Sequence, residues 1–349
     1  VHRGRDGPLQ SRVQHRRRGA SAAVASGWNR YGAGRFAAFA GLGSLCLLLW
    51  ILTPHFLTLA NILNVMEQTS INAVVAIGMT YVIISGGIDL SVGSILALSG
   101  VVLAKILKAS AFGANPAGAL GWFPLSLALS ATLAVGAAVG IANGVGIAFG
   151  RLPPFIMTLG MMSVARGAAL LVTDGRPVSG FDPGFRSLAT GSLLAVSAPI
   201  VMTIAFYLVA HLVLSRTRFG RYVYGIGGNE EATRLSGVAV RFHKTIVYGV
   251  SGLTSATAAV LLTARLNTAQ PIAGINYELD AIAATVIGGT SLSGGEGSLG
   301  GTLVGALTMG VLRNGLNLLG VSSFLQQLVI GAVIIAAVLV DRGLKERRR

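Results

Sequence analysis

The chain has one cysteine, Cys46, so no disulfide can form within it. Acidic residues are scarce, 12 against 27 Lys and Arg, and charged residues of either sign make up only 11% of the sequence. A soluble domain carries about a quarter. Lysine occurs only at 105, 108, 244 and 345, and no GxxxxGK[ST] sequence exists, which excludes a nucleotide cradle of the P-loop kind. No His and Cys residues stand at metal-ligand spacing, and no soluble stretch is long enough to hold paired catalytic carboxylates. The sequence therefore argues against an enzyme.

Long apolar runs are what the chain has instead. Hydrophobic residues make up 53% and there are 48 glycines. Several runs reach the roughly 17 residues or more that cross a hydrocarbon core of about 30 Å, and small residues let such helices approach closely. The expected fold is all-α, a polytopic membrane bundle of about ten helices. The runs are 36–52, 65–85, 90–107, 122–149, 155–173, 192–214, 245–264, 272–289, 299–319 and 324–340. The eighth is the weakest, because it holds Glu278 and Asp280. Residues 1–35 read as a disordered basic cytosolic tail, 36–341 as the transmembrane domain and 342–349 as a second basic tail. RRRGASAAVAS lacks the apolar stretch of a twin-arginine signal.

A net charge of +15 does not point to nucleic acid, because the basic residues sit in tails and particular loops. With both ends in the cytosol, 20 of the 27 fall on the inner side, five in outer loops, and Arg166 and Arg313 inside spans. Both ends inside requires an even number of crossings.

Two Gly-rich interruptions resemble one another, GGIDLSVGS at 86–94 and GGTSLSGGEGS at 288–298, each between apolar segments. Such pairing hints at an internal duplication and a transport path. In the first, Asp89 is placed to cap a helix beginning at Leu90 or Ser91, with Gly86 and Gly87 permitting the turn. In the second, Gly288 and Gly289 precede Ser291, a capping residue at the matching place. A broken helix deeper in the membrane, with free ends facing a solute, is the rival reading.

The polar loop 215–244 contains Gly228 and Asn229, the latter able to cap a short helix whose first turn holds Glu230 and Glu231, with Gly237 ending it. Glu231-Ala232-Thr233, three residues and Gly237 resemble the EAA-x3-G coupling motif of ATP-binding-cassette importer permeases, departing at Thr233. GMTYVIISGGIDLSVGSILALSG (78–100), PPFIMTLGMMSVARG (153–167), YELDAIAATVIGGTSLSGGEGS (277–298) and NGLNLLGV (314–321) resemble the ribose-type sugar permeases, in that family's order. The resemblance implies a homodimeric pore in a bacterial inner membrane, with no cofactor of its own. It also implies a separate subunit that hydrolyses ATP with Mg, and an extracytoplasmic binding protein that delivers the sugar. Residues 229–237 would then be the coupling helix.

Ionisable groups inside spans are functional candidates by default. Arg166, Arg313, Glu67, Glu278 and Asp280 fall in the outer third and are expected to form an ion-pair and hydrogen-bond network at the mouth of the path, joined by Asn314. Snorkelling side chains that pin helices together are the bland alternative. A nucleoside or another small polar solute would suit the same architecture. An ion-coupled transporter working alone would leave the coupling motif unexplained.

Overall fold

The computed structural model describes residues 38–111, 123–193 and 196–346. The expected tail 1–35 lies outside them, as do the last three residues. The helices are α1 (Ala38–Leu52), α2 (Leu59–Ile84), α3 (Val92–Ala111), α4 (Phe123–Ala148) and α5 (Pro154–Thr173). After β1 (Val178–Ser179), α6 (Pro183–Thr190), β2 (Ser192–Leu193) and β3 (Val196–Ser197) come α7 (Ala198–Arg216), α8 (Arg218–Gly228), α9 (Glu230–Leu235) and α10 (Val240–Leu266). The chain closes with β4 (Thr268–Ala269), α11 (Tyr277–Ile287), α12 (Leu299–Leu318) and α13 (Ser323–Glu346).

The protein is an all-α membrane protein. Among the described residues, six helices (α2, α3, α4, α5, α7 and α10) are long and apolar enough to cross a bilayer by length and composition. The eighth expected span shrinks to α11, whose 11 residues rise only about 16 Å. The loss is at its start, where Gly274 and Asn276 take positive φ (70° each) and turn the backbone. α13 runs on to Glu346 rather than ending near 341.

Helices α2 and α10 are buried through most of their length and form the axis of the bundle. α10 lies along α4 because Gly136, Gly140 and Gly144 present one bare face, and a Cβ on any of them would strike the α10 backbone at Gly252, Tyr248 or Thr245. Close backbone approach at such small-xxx-small stripes is how apolar helices associate in lipid. Buried hydroxyls then pin the axis: Thr80 to Thr302 (2.8 Å), Tyr81 to the carbonyl of Ala210 (2.7 Å) and Tyr207 to that of Ala73 (3.0 Å).

The segment after α5 is more structured than its composition suggests. β1 pairs antiparallel with β4, Val178 opposite Ala269, and β2 with β3 makes a small hairpin. Phe181 and Phe185 close this end over Leu103, Ala104 and Ala128. The opposite end of the bundle carries α8, α9 and both Gly-rich interruptions.

Candidate functional site: a glycine junction and a buried ion pair

Both interruptions end a helix the same way. Gly86 (φ 81°) follows α2 and Gly289 (φ 86°) follows α11, the left-handed conformation that glycine adopts freely. The amides after them close matching bonds, Gly87 to Val82 (2.9 Å) and Thr290 to Thr285 (3.0 Å). By this geometry Gly86 corresponds to Gly289, one residue out of step with the match of 86–87 to 288–289. The expected cap at Ser291 is corrected accordingly. Ser298 is the N-cap of α12, accepting from the Gly301 amide at 3.2 Å, while Ser291 closes the turn to Gly294. Gly288 ends α11 and packs against the backbone of Gly301.

Asp89 is not the helix cap: α3 begins at Val92 rather than at Leu90 or Ser91, so Ser91 takes the cap position and Asp89 makes the turn that leads into it. Its fully buried carboxylate accepts from the Ser91 amide (3.0 Å), the Ser91 hydroxyl (2.6 Å) and Ser251 of α10 (2.7 Å). Ser91 Oγ in turn accepts from Asn143 of α4 (2.8 Å). One carboxylate thus ties α3, α4 and α10 together, and its three donors offset the desolvation of a buried charge. Gly87 sits beside the Tyr248 hydroxyl.

The two interruptions meet. The Gly295 amide donates to the Ile84 carbonyl at 2.8 Å, and Gly294 packs on Gly86. Gly227, near the end of α8, is wedged between them; a Cβ there would strike both the Ile84 carbonyl and the Gly295 amide. Tyr224, one turn earlier, donates to the Gly297 carbonyl at 2.8 Å.

Gly228 is the last residue of α8, and Asn229 ends that helix and begins the next. The short helix α9 stands where the sequence places it. The Asn229 side chain accepts from the Ala232 amide at 2.9 Å, Glu230 and Glu231 occupy the first turn, and Gly237 has φ 83°. None of its residues is buried, and Leu235 is exposed. Glu231 takes both a bond from Arg234 Nε (3.0 Å) and one from its Nη2, and Lys244 of α10 pairs with Glu230. Arg234 holds the Glu231 carboxyl below the usual carboxylate range. The α8 helix before it is hidden in the sequence, because its Gly-rich run looks like a loop.

The expected network resolves into separate pieces at different depths, from Glu278 beside the first interruption to Asn314 at the far end. Arg313 Nη2 grips both oxygens of Asp280 (2.7 and 2.6 Å), and Asn72 adds a bond at 3.2 Å. This is the only ion pair of that region among the described residues. Arg166 caps the carbonyls of Pro271 (2.8 Å) and Ala273 (2.7 Å) rather than a carboxylate. Glu278 lies against Gly93, and Arg265 approaches Glu67 only at its backbone carbonyl, 3.4 Å. Asn314 exchanges two bonds with Asn61 (3.0 and 2.8 Å). Nothing in the sequence marked Asn61 or Asn72 as partners.

A family model described as the permease component of branched-chain amino acid transport systems matches residues 61–338. The chain belongs to this permease family, in its ribose-type branch. It is 48% identical over 306 residues to the ribose import permease RbsC of Bacillus subtilis, covering 87% of this chain and 91% of that one. The Escherichia coli K12 ribose permease RbsC is 48% identical over 294 residues, covering 83% and 88%. The D-allose permease AlsC of E. coli K12 is 37% identical over 316 residues, covering 90% and 92%. No solved structure matches the chain.

Proposed function

We propose that the chain is the membrane subunit of an ATP-driven monosaccharide importer, forming the path for the sugar while a partner subunit hydrolyses ATP with Mg. The observation that carries the reading is the contact of Gly227 with Ile84 and Gly295. It joins α9, a capped helix with no buried residue, through α8 to both helix breaks, so a push on α9 reaches two halves of the bundle at once. Residues 228–237, with Gly228, Asn229, Glu231, Ala232 and Gly237, are the docking surface for the ATPase. Gly86, Gly87, Asp89, Ser91, Gly288, Gly289 and Ser291 form the hinge it acts on.

In this reading both termini and α9 are cytosolic, and the chain makes ten crossings. α1, α12 and α13 join the six qualifying helices, and α11 with its flanking turns forms the remaining one. The shared helix-end geometry at Gly86 and Gly289 supports a two-fold internal relation of the halves. Two copies of the chain line the path, and a binding protein delivers sugar at the end holding Glu67 and Asn314, with Arg166, Glu278, Asp280 and Arg313 further along it. The relatives' names, ribose and allose permeases, favour a monosaccharide. The family description names amino acids instead, which makes another small polar solute the second reading.

Uptake into proteoliposomes holding the permease, its ATPase and the binding protein tests this. ATP-dependent accumulation of labelled ribose, with none of leucine or a nucleoside, is the expected result. Equal ribose uptake with and without ATP would refute it.

A further inference from the structure

Three buried polar atoms without a hydrogen-bond partner gather along one seam: Thr69 Oγ1 and Asn72 Oδ1 on α2, and Arg313 Nε on α12. Thr69 and Asn72 are three residues apart and so share a face of α2. Thr69 Oγ1 presses on Gly310, three residues before Arg313 on one face of α12. A helical side chain leans toward its own N-terminus, which carries the Arg313 guanidinium back along α12 to Asp280 and Asn72. The three atoms therefore lie within about one helical turn of one another. Thr69 is 5% exposed and Asp280 2%.

Asn72 cannot relieve its orphan oxygen by turning its amide over. Its Nδ2 is committed to Asp280 Oδ2, and the reversed amide would set oxygen against carboxylate. Arg313 likewise spends Nη2 on Asp280 and leaves Nε unused. Buried polar groups in native proteins are almost always paired, and an unpaired set is unfavourable until a hydrogen-bonding group enters. The set offers a donor (Arg313 Nε), an acceptor (Asn72 Oδ1) and a hydroxyl able to do either (Thr69). A sugar hydroxyl, at once donor and acceptor, is complementary to it.

We infer that the α2–α11–α12 seam is a binding subsite for the hydroxyls of a monosaccharide, closed here and opened when hydroxyls replace the missing partners, with Thr69 and Asn72 as recognition residues. This rests on the importer reading. The Asp280–Arg313 pair holds the seam together, while Thr69 and Asn72 read the solute. Their side chains contribute to specificity inside the permease itself, beyond whatever a binding protein selects.

The test compares the full-length permease with its Thr69→Val and Thr69→Ser variants in lipid nanodiscs, following thermal unfolding with D-ribose or hydroxyl-free tetrahydropyran. Ribose well above half-saturation is expected to raise the wild-type midpoint by about 2–4 °C, and tetrahydropyran to leave it unmoved. Thr69→Val keeps the shape and loses the orphan hydroxyl. It should be at least as heat-stable as wild type without sugar, lose the ribose shift, and transport ribose about tenfold more slowly with ATPase and binding protein. Thr69→Ser should restore both the shift and the transport. A ribose shift retained in Thr69→Val, or absent from wild type, would overturn the subsite and leave a seam filled by water only. Robust wild-type uptake alongside that result confines the failure to the seam. Absence of any monosaccharide uptake by wild type would bring down the importer reading itself.

Discussion

The amide of Gly295 donates to the carbonyl of Ile84, 211 residues earlier in the chain, at 2.8 Å, with Gly227 packed against both atoms. Three segments thus meet with no side chain between them. Gly227→Ala should force that bond apart. The expected outcome is ATP hydrolysis that persists while sugar uptake falls about tenfold or more, with the ATPase still bound. The ratio of sugar moved to ATP hydrolysed in proteoliposomes checks it; an unchanged ratio would show the junction to be packing only.

Asp280 and Arg313 form a pair that is buried at one partner and partly exposed at the other. Removing one member of a buried pair costs about 3–5 kcal/mol, and the exposure of Arg313 reduces this to about 2 kcal/mol. Arg313→Met should lower stability by that amount, and Asp280→Leu combined with Arg313→Met should recover much of it. Chemical denaturation of the three proteins in mixed micelles gives the comparison.

Asp89 accepts three bonds from two residues, Ser91 just before α3 and Ser251 of α10. Bonds to a charged group contribute about 1.5–3 kcal/mol each, so Asp89→Ala should cost about 3 kcal/mol or more. Ser251→Ala, which removes one donor, should cost about 1–2 kcal/mol. A ranking in which Ser251→Ala is the worse of the two would contradict the hub role of Asp89.

Asn229 is the cap of a six-residue helix with no buried residue. Asn229→Ala should cost about 1 kcal/mol of local helix stability, leaving the global unfolding midpoint unmoved but weakening ATPase binding several-fold. The Glu231 carboxyl is held low by Arg234. A lowered carboxylate contributes its stabilisation above its unfolded-state value and loses it as pH falls through the lowered one. ATPase binding should therefore be level from about pH 8 to about pH 5 and decline only below the ordinary glutamate value of about 4.3. Titration of the complex by light scattering reads this directly.

The long helices were legible because polar breaks bound their apolar runs, and α9 because Asn229, the two glutamates and Gly237 are each the residue that a cap, a first turn and a stop require. Legibility failed where backbone turns decide. α11 is short because Gly274 and Asn276 turn inside an apolar run, which hydropathy alone reads as span. Arg166 found two carbonyls in that same turn, and no pattern of charges encodes where carbonyls point. The repeat matched GG to GG, whereas the helix ends align one residue later, because the chain needs glycine only at the left-handed position. Asn72 and Thr69 do not stand out in the sequence, since a single uncharged polar side chain neither interrupts an apolar run nor marks an ionic site.

The most direct measurement is purification of the tagged protein in gentle detergent, identifying what accompanies it. The account predicts a Walker-motif ATPase in the wild-type preparation, lost when Glu231 and Gly237 are replaced. Recovery of the permease alone, with sugar uptake continuing in cells deprived of any such ATPase, would contradict it.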